Sequence, residues 1–167
     1  MVAITITNQV GKFLFDGLHM LYVCAGIERK LSQRHYQALY IDMKELAHIE
    51  AVAIASSMVI DWNREHCIAL FLDTKNHLLH SEIISIGTAT DTLIHAREVF
   101  KPAIIHNAVK VMLLHNHPSG DIFPSKMDIA VTKRMADAGR LLQIELIDHL
   151  VFNKRGEFYS MSFHKKI

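Results

Sequence analysis

The chain has 167 residues, of which 50% are apolar and 21% are charged, a composition typical of a globular protein rather than a disordered one. Its formal net charge is +1, and this excludes the strongly basic surface by which many proteins bind nucleic acid. No apolar run reaches the length that spans a bilayer, and the first residues lack the features of a signal peptide, so we expect no membrane association.

The first 60 residues are predicted to form an N-terminal helical segment. Asn8 is a candidate N-cap for a helix that runs to about Ala25, where Gly26 ends it. A short helix over Ser32–Tyr40 and a longer one over Asp42–Val59 follow. The apolar N-terminal helix, together with exposed sheet edges, favours a homodimer.

From Glu65 onward the pattern changes to strands that alternate with helices. Strands are predicted at Cys67–Leu72, Leu78–Ile86, Val109–His115, Ile144–Phe152 and Glu157–Met161, and helices at Ala96–Ala108 and Lys126–Leu141. We therefore expect an α+β protein, an α/β sandwich whose mixed β-sheet is flanked by helices. The domain organisation that follows is an N-terminal helical segment at 1–60 and a sheet-containing domain at 61–167.

Cys24 and Cys67 both lie in apolar surroundings. Two cysteines are too few for a disulfide scaffold. Buried thiols in a reducing compartment are the simpler interpretation, so we expect a cytoplasmic protein.

The most informative segment of the chain is His115-Asn116-His117-Pro118, which is followed by Ser125 and Asp128. If Val109–His115 is a strand, His115 and His117 point to the same side of the sheet. Asp128, at the start of the next helix, can then complete a ligand set. Two imidazoles and one carboxylate leave the fourth tetrahedral position for water, which is typical of a catalytic zinc site.

Each member of this pattern has an ordinary alternative explanation. Histidine is abundant, 12 of 167 residues, so the His115-x-His117 pair by itself is a weak indication. Ser125-x-x-Asp128 is also a helix-capping box, in which the serine oxygen accepts a backbone bond and the acidic side chain reaches back. The shared register of the histidines, the serine and the aspartate is what favours a metal site.

The spacing His115-x-His117-Pro118, then Ser125 and Asp128, resembles the signature of the JAMM (MPN+, JAB domain) zinc metallopeptidases. The longer string His115-Asn116-His117-Pro118-Ser119-Gly120 is similar to the RadC branch of that superfamily, and the resemblance covers roughly residues 64–153. It implies a JAMM architecture of the cytidine-deaminase-like kind. The first 60 residues do not resemble the helix-hairpin-helix segment of full-length RadC proteins.

The resemblance implies a role for each motif residue. His115, His117 and Asp128 would bind Zn²⁺, and Ser125 would stabilise the oxyanion that develops during hydrolysis. JAMM enzymes place a glutamate general base at the start of an early strand, and Glu65 fits that position. Glu82 and Glu98 are the alternatives for this base.

Asp148 and His149 are neighbours on a predicted strand and therefore face opposite sides of the sheet. One of them could orient a ligand imidazole from outside the ligand set. An equally acceptable interpretation is a pair that stabilises the last hairpin.

The motif residues bear on three candidate functions. The leading hypothesis is a zinc-dependent hydrolase that cleaves a peptide or isopeptide bond in an unidentified peptide or protein substrate. The alternative is a DNA-repair-associated module that binds rather than catalyses, although the near-neutral charge does not support nucleic-acid binding. A His-Asn-His nuclease is excluded because such enzymes distribute the three residues over a ββα unit instead of placing them consecutively.

Overall fold

The computed structural model describes residues 5–8, 11–15, 20–24, 27–29, 43–87 and 94–167. The chain divides into two compact units, Met1–Leu46 and Ala47–Ile167, so that the division falls within the helix at Met43–Met58.

The described part of the first unit, apart from the start of that helix, consists of four short strands. They are β1 (Thr5–Asn8), β2 (Gly11–Phe15), β3 (Met20–Cys24) and β4 (Ile27–Arg29). Each strand pairs antiparallel with the next, in the order β1-β2-β3-β4. The helix predicted from Asn8 to Ala25 is therefore wrong, and the homodimer prediction loses the apolar helix on which it partly depended.

The wrong helix prediction has a local cause: short apolar runs are compatible with both the 3.6-residue period of a helix and the two-residue period of a strand. Phe13-Leu14-Phe15 and Leu21-Tyr22-Val23 are consecutive apolar residues, which match a helix face as well as a strand. Their aromatic and β-branched side chains, and the glycines at 11 and 17, are more typical of strands joined by turns. The helix predicted over Ser32–Tyr40 lies outside the described residues.

The described part of the second unit, together with the start of its first helix at Met43, contains three helices and five strands. They are α1 (Met43–Met58), β5 (His66–Leu72), β6 (Leu78–Ile86), α2 (Ala96–Ile105), β7 (Lys110–Asn116), α3 (Lys126–Leu142), β8 (Glu145–Phe152) and β9 (Phe158–Ser160). The order of its strands is β6-β5-β7-β8-β9. Only the β7–β8 pair is parallel, and the other three pairs are antiparallel. The predicted α+β class with a mixed sheet flanked by helices is confirmed.

Both faces of this sheet are covered. One core contains Phe71, Val111 and Leu113 from the sheet, with apolar residues of α2 and α3. A second core contains Leu70 and Leu114 from the opposite face, with apolar residues of α1. Every residue of β5 is buried because this strand contributes alternately to both cores.

The predicted elements of this unit are confirmed to within one or two residues, with one exception. The helix predicted over Ala96–Ala108 ends at Ile105, because Asn107 takes a left-handed conformation (φ 53°) that a continuing helix does not accommodate. Among the residues that the structure describes, no helix has the length and apolar character needed to cross a bilayer.

Candidate metal centre

Two histidines at the end of β7 form the base of the candidate site. β7 lies inside the sheet, with Cys67 of β5 on one side of His115 and Val151 of β8 on the other. His117 follows the strand directly and continues its pairing, since its backbone N–H donates to the Phe152 carbonyl at 3.1 Å. The two imidazoles project to the same side, and their Nε2 atoms lie 2.9 Å apart.

Asp128 reaches this pair from the first turn of α3. Its Oδ1 lies 3.4 Å from His115 Nε2, and its Oδ2 lies 3.5 Å from His117 Nε2. The same carboxylate also closes a capping box with Ser125: Oδ2 accepts the Ser125 backbone N–H at 2.7 Å, and Ser125 Oγ accepts the Asp128 backbone N–H at 3.1 Å. The helix cap and the approach to the histidines are thus two uses of one side chain.

Glu65 enters the same cluster from the residue before β5. Its Oε1 lies 3.7 Å from His115 Nε2 and 3.9 Å from His117 Nε2. One side-chain atom from each of Glu65, His115, His117 and Asp128 lies within 4.8 Å of all the others. These residues come from three separate backbone segments, which is how a metal site is usually assembled.

The two rival glutamates lie outside this cluster. The side chain of Glu82 is 49% exposed and lies 3.8 Å from His80, whereas that of Glu98 is 53% exposed and contacts Arg97. The side chain of Glu65 is only 13% exposed. Among the three candidates, Glu65 alone belongs to the group around the two histidines.

The spacing of the donor atoms fits a small divalent cation. Two ligand atoms that each lie about 2.0–2.1 Å from a tetrahedral ion are separated by about 3.3 Å. The distances among His115 Nε2, His117 Nε2 and the nearest Asp128 oxygens are 2.9, 3.4 and 3.5 Å. Only small side-chain adjustments are needed for these three residues to hold an ion between them.

The electrostatics of the cluster keep the aspartate ionised. Burial by itself raises the pKa of Asp128, but hydrogen bonds from His115 and His117, together with the charge of His115, lower it far below its usual range. Burial likewise lowers the pKa of His117, and the Asp128 carboxylate and the Asp121 carbonyl overcome this and raise it. The site therefore attracts positive charge, as a cation-binding site must.

The loop after β7 fixes the orientation of His117. Its Nδ1 lies 2.7 Å from the carbonyl oxygen of Asp121, which can only accept a hydrogen bond. Nδ1 must therefore carry a proton, and whenever the imidazole is neutral its lone pair is on Nε2, the atom that faces His115 and Asp128.

Two residues that the sequence analysis missed, Asn116 and Thr132, and one that it left open, His149, complete the surroundings of the site. Asn116, between the two histidines, is fully buried, and its side chain accepts the His66 N–H at 2.8 Å and donates to the Arg64 carbonyl at 3.0 Å. The Asn116 side chain thereby holds the backbone on both sides of Glu65. The sequence signal that could have identified Asn116 was its position between the two histidines of the motif.

The other two residues, His149 and Thr132, lie behind His115. His149 Nε2 lies 2.8 Å from His115 Nδ1, and Thr132 Oγ1 lies 2.6 Å from His149 Nδ1. Burial and the neighbouring His115 lower the pKa of His149 to about 3, so this imidazole is neutral at physiological pH. Asp148 faces the other side of the sheet, as the strand period predicts, and contacts His48 of α1.

Replacing Asn116 with Leu should lower the free energy of unfolding by about 1–3 kcal/mol, because the buried His66 N–H would lose its partner and the Arg64 carbonyl one of its two contacts. Urea unfolding followed by circular dichroism measures this change. Asn63→Leu is the matched control, since the exposed Asn63 amide contacts Asp61 two residues away, and it should change stability by less than about 0.5 kcal/mol. Equal effects of the two substitutions would contradict the role given to Asn116.

A mixed sheet between helices, with two histidines at the end of an inner parallel strand and an aspartate in the first turn of the next helix, defines a protein of the JAB/MPN fold class. The chain belongs to the RadC family of that class: the family model described as "RadC-like JAB domain" matches residues 41–166.

Curated relatives support this assignment. A UPF0758 protein of Chlorobaculum tepidum is 42% identical over 129 residues, which are 77% of this chain and 58% of that protein. A UPF0758 protein of Desulforamulus reducens is 50% identical over 91 residues, which are 54% of this chain and 40% of that protein. The chain thus spans about half the length of the curated relatives that it matches.

Proposed function

We propose that this chain is a zinc-dependent hydrolase that cleaves a peptide or isopeptide bond. The observation that carries the proposal is the convergence of Glu65, His115, His117 and Asp128, whose ligand atoms lie within 4.8 Å of one another. A helix cap or a core contact could explain one of these side chains. Neither explains why two imidazoles and two carboxylates from three segments meet at one point.

His115, His117 and Asp128 would hold the ion. Two nitrogen donors and one carboxylate form a set that zinc accepts readily, and a set of three leaves one coordination position for water or substrate. When bound, zinc would lower the pKa of a water molecule and polarise the substrate carbonyl.

Glu65 is the proposed general base. Its Oε1 is farther from the two imidazole nitrogens than the Asp128 oxygens are, 3.7 and 3.9 Å compared with 3.4 and 3.5 Å. This order of distances favours Asp128 over Glu65 as the third ligand and is consistent with Glu65 acting on a bound water. Glu65 can take a proton from the attacking water and deliver it to the leaving amine nitrogen, which must be protonated before it departs.

Ser125 is the proposed oxyanion donor. Its Oγ accepts the Asp128 N–H in the cap, and a hydroxyl that accepts one hydrogen bond still has its own proton to donate. A donor beside the metal would meet the negative charge that develops on the substrate carbonyl oxygen only in the transition state.

The experiment that tests this function uses the purified chain loaded with zinc and a library of peptides and lysine-linked isopeptides. We expect cleavage of a subset of the library, loss of cleavage on chelation, and recovery when zinc is added back. Zinc bound in stoichiometric amount with no cleavage of any member, compared with buffer, would contradict the proposed activity while leaving the metal site in place.

A further inference from the structure

A continuous chain of hydrogen bonds joins two of the candidate ligand residues behind the site. It begins at His115 Nδ1, passes to His149 Nε2 at 2.8 Å, and continues from His149 Nδ1 to Thr132 Oγ1 at 2.6 Å. It ends where Thr132 Oγ1 donates to the backbone carbonyl of Asp128, again at 2.6 Å. The three side chains in this series of hydrogen bonds, those of His115, His149 and Thr132, are at least 97% buried.

The Asp128 carbonyl decides which atom donates in each of these hydrogen bonds. A carbonyl oxygen accepts hydrogen bonds and cannot donate them, so the single proton of the Thr132 hydroxyl points to Asp128. Met161 Sδ, 3.1 Å from the same hydroxyl, is also only an acceptor and does not change this conclusion. The Thr132 oxygen must therefore accept its other bond from the N–H of His149 Nδ1.

The remaining protons follow in order. A neutral imidazole has one donor and one acceptor nitrogen, so His149 with its proton on Nδ1 presents a lone pair at Nε2. That lone pair accepts the N–H of His115 Nδ1. The lone pair of His115 is then on Nε2, the atom that faces Asp128 and that accepts the 2.9 Å hydrogen bond from His117 Nε2 until a cation displaces that proton. The opposite direction would place a proton on Nε2, where it would block a cation.

We propose that Thr132 and His149 are positioning residues that select the metal-binding tautomer of His115. This inference rests on the proposed metal site. It gives the parallel pairing of β7 with β8 a functional role, because that pairing brings His149 of β8 behind the ligand on β7. It also makes α3 contribute twice, through the Asp128 carboxylate in front and through Thr132, one turn later, behind.

The test compares Thr132→Val with Thr132→Ser. Valine has the shape of threonine without the hydroxyl, whereas serine keeps it. In the metal-free protein, imidazole ¹⁵N NMR should show His115 protonated on Nδ1 in the wild type and in Thr132→Ser, and a mixture of tautomers in Thr132→Val. Zinc affinity, measured by competition with a chelator at fixed pH, should fall about 10–100-fold in Thr132→Val and less than about threefold in Thr132→Ser.

A second pair of variants, at His149, provides the test if Thr132→Val does not fold. Thermal unfolding would reveal such a failure. His149→Gln retains an acceptor for His115 and a donor for Thr132, whereas His149→Leu retains neither. We expect Gln to keep more zinc affinity than Leu. Unchanged tautomer and zinc affinity in folded Thr132→Val, or equal losses in Gln and Leu, would overturn the inference. A wild-type protein that binds no zinc would refute the proposed function, while the NMR comparison would still judge the hydrogen-bond chain.

Discussion

Replacing Glu65 with Gln should leave zinc binding close to that of the wild type and lower the rate of amide hydrolysis about 10²–10⁴-fold. The amide has nearly the same shape as the carboxylate but cannot take a proton from water. Because Glu65 lies 3.7 and 3.9 Å from the imidazole nitrogens, beyond the Asp128 oxygens, we expect its loss to affect proton transfer more than metal affinity. Zinc affinity and kcat, measured on the same preparation, separate the two effects.

Glu82→Gln and Glu98→Gln are the controls for this prediction. Both side chains are about half exposed and lie outside the group around the histidines, so hydrolysis by either variant should match the wild type. Full activity of Glu65→Gln, or a larger loss in either control, would transfer the role of general base away from Glu65.

Replacing Asp148 with Asn should lower the free energy of unfolding by about 1–3 kcal/mol at neutral pH, the usual cost of leaving a buried donor without its hydrogen-bond partner. The buried carboxylate accepts bonds from Ser160 Oγ at 2.5 Å and from the Ser162 and His149 N–H groups at 2.9 and 2.7 Å, and it lies 2.9 Å from His48 Nε2. It joins α1 to the sheet in this way. Asp137→Asn, at an exposed pair with Arg140, is the control and should change stability by less than about 0.5 kcal/mol.

The effect of Asp148 should also depend on pH. Burial by itself raises the pKa of this carboxyl, but His48 and Ser160 lower it below its usual value. A group whose pKa is lower in the folded protein stabilises the fold above its unfolded pKa, and this contribution is lost as the pH falls through the folded value. Urea unfolding at pH 7, 4 and 3 should therefore show a smaller acid-induced loss of stability in Asp148→Asn than in the wild type. Parallel losses in the two proteins would contradict the assignment.

Local sequence patterns were sufficient to predict the helices and strands of the second unit. The consecutive apolar residues of Cys67–Leu72 and the polar turn at 73–76 define β5 and its hairpin before any tertiary contact is considered. The same reasoning failed for Asn8–Ala25, because runs of three apolar residues do not distinguish a helix face from a strand. The pairing between strands, which decides the matter, is not a local property.

The candidate site shows the same division between local and tertiary information. His115, His117 and Asp128 could be predicted because a strand period and a helix start fix where their side chains point. Thr132 was missed, and His149 was predicted only as one of two candidates, since their roles depend on β8 lying parallel to β7 and on α3 packing against β8. The sequence leaves open which of Asp148 and His149 faces the site, because alternation along a strand does not say which face is which.

Zinc binding by the wild type and by Asp128→Asn is the most direct test of the central claim. The amide oxygen of Asn can still accept the Ser125 N–H, so the cap and the melting temperature should change little, while the anionic ligand is lost. We predict that wild-type protein purified without chelators binds a single zinc ion by elemental analysis, and that Asp128→Asn binds it at least about tenfold more weakly. Wild-type protein that takes up no zinc, or an Asn variant with unchanged affinity, would contradict the account.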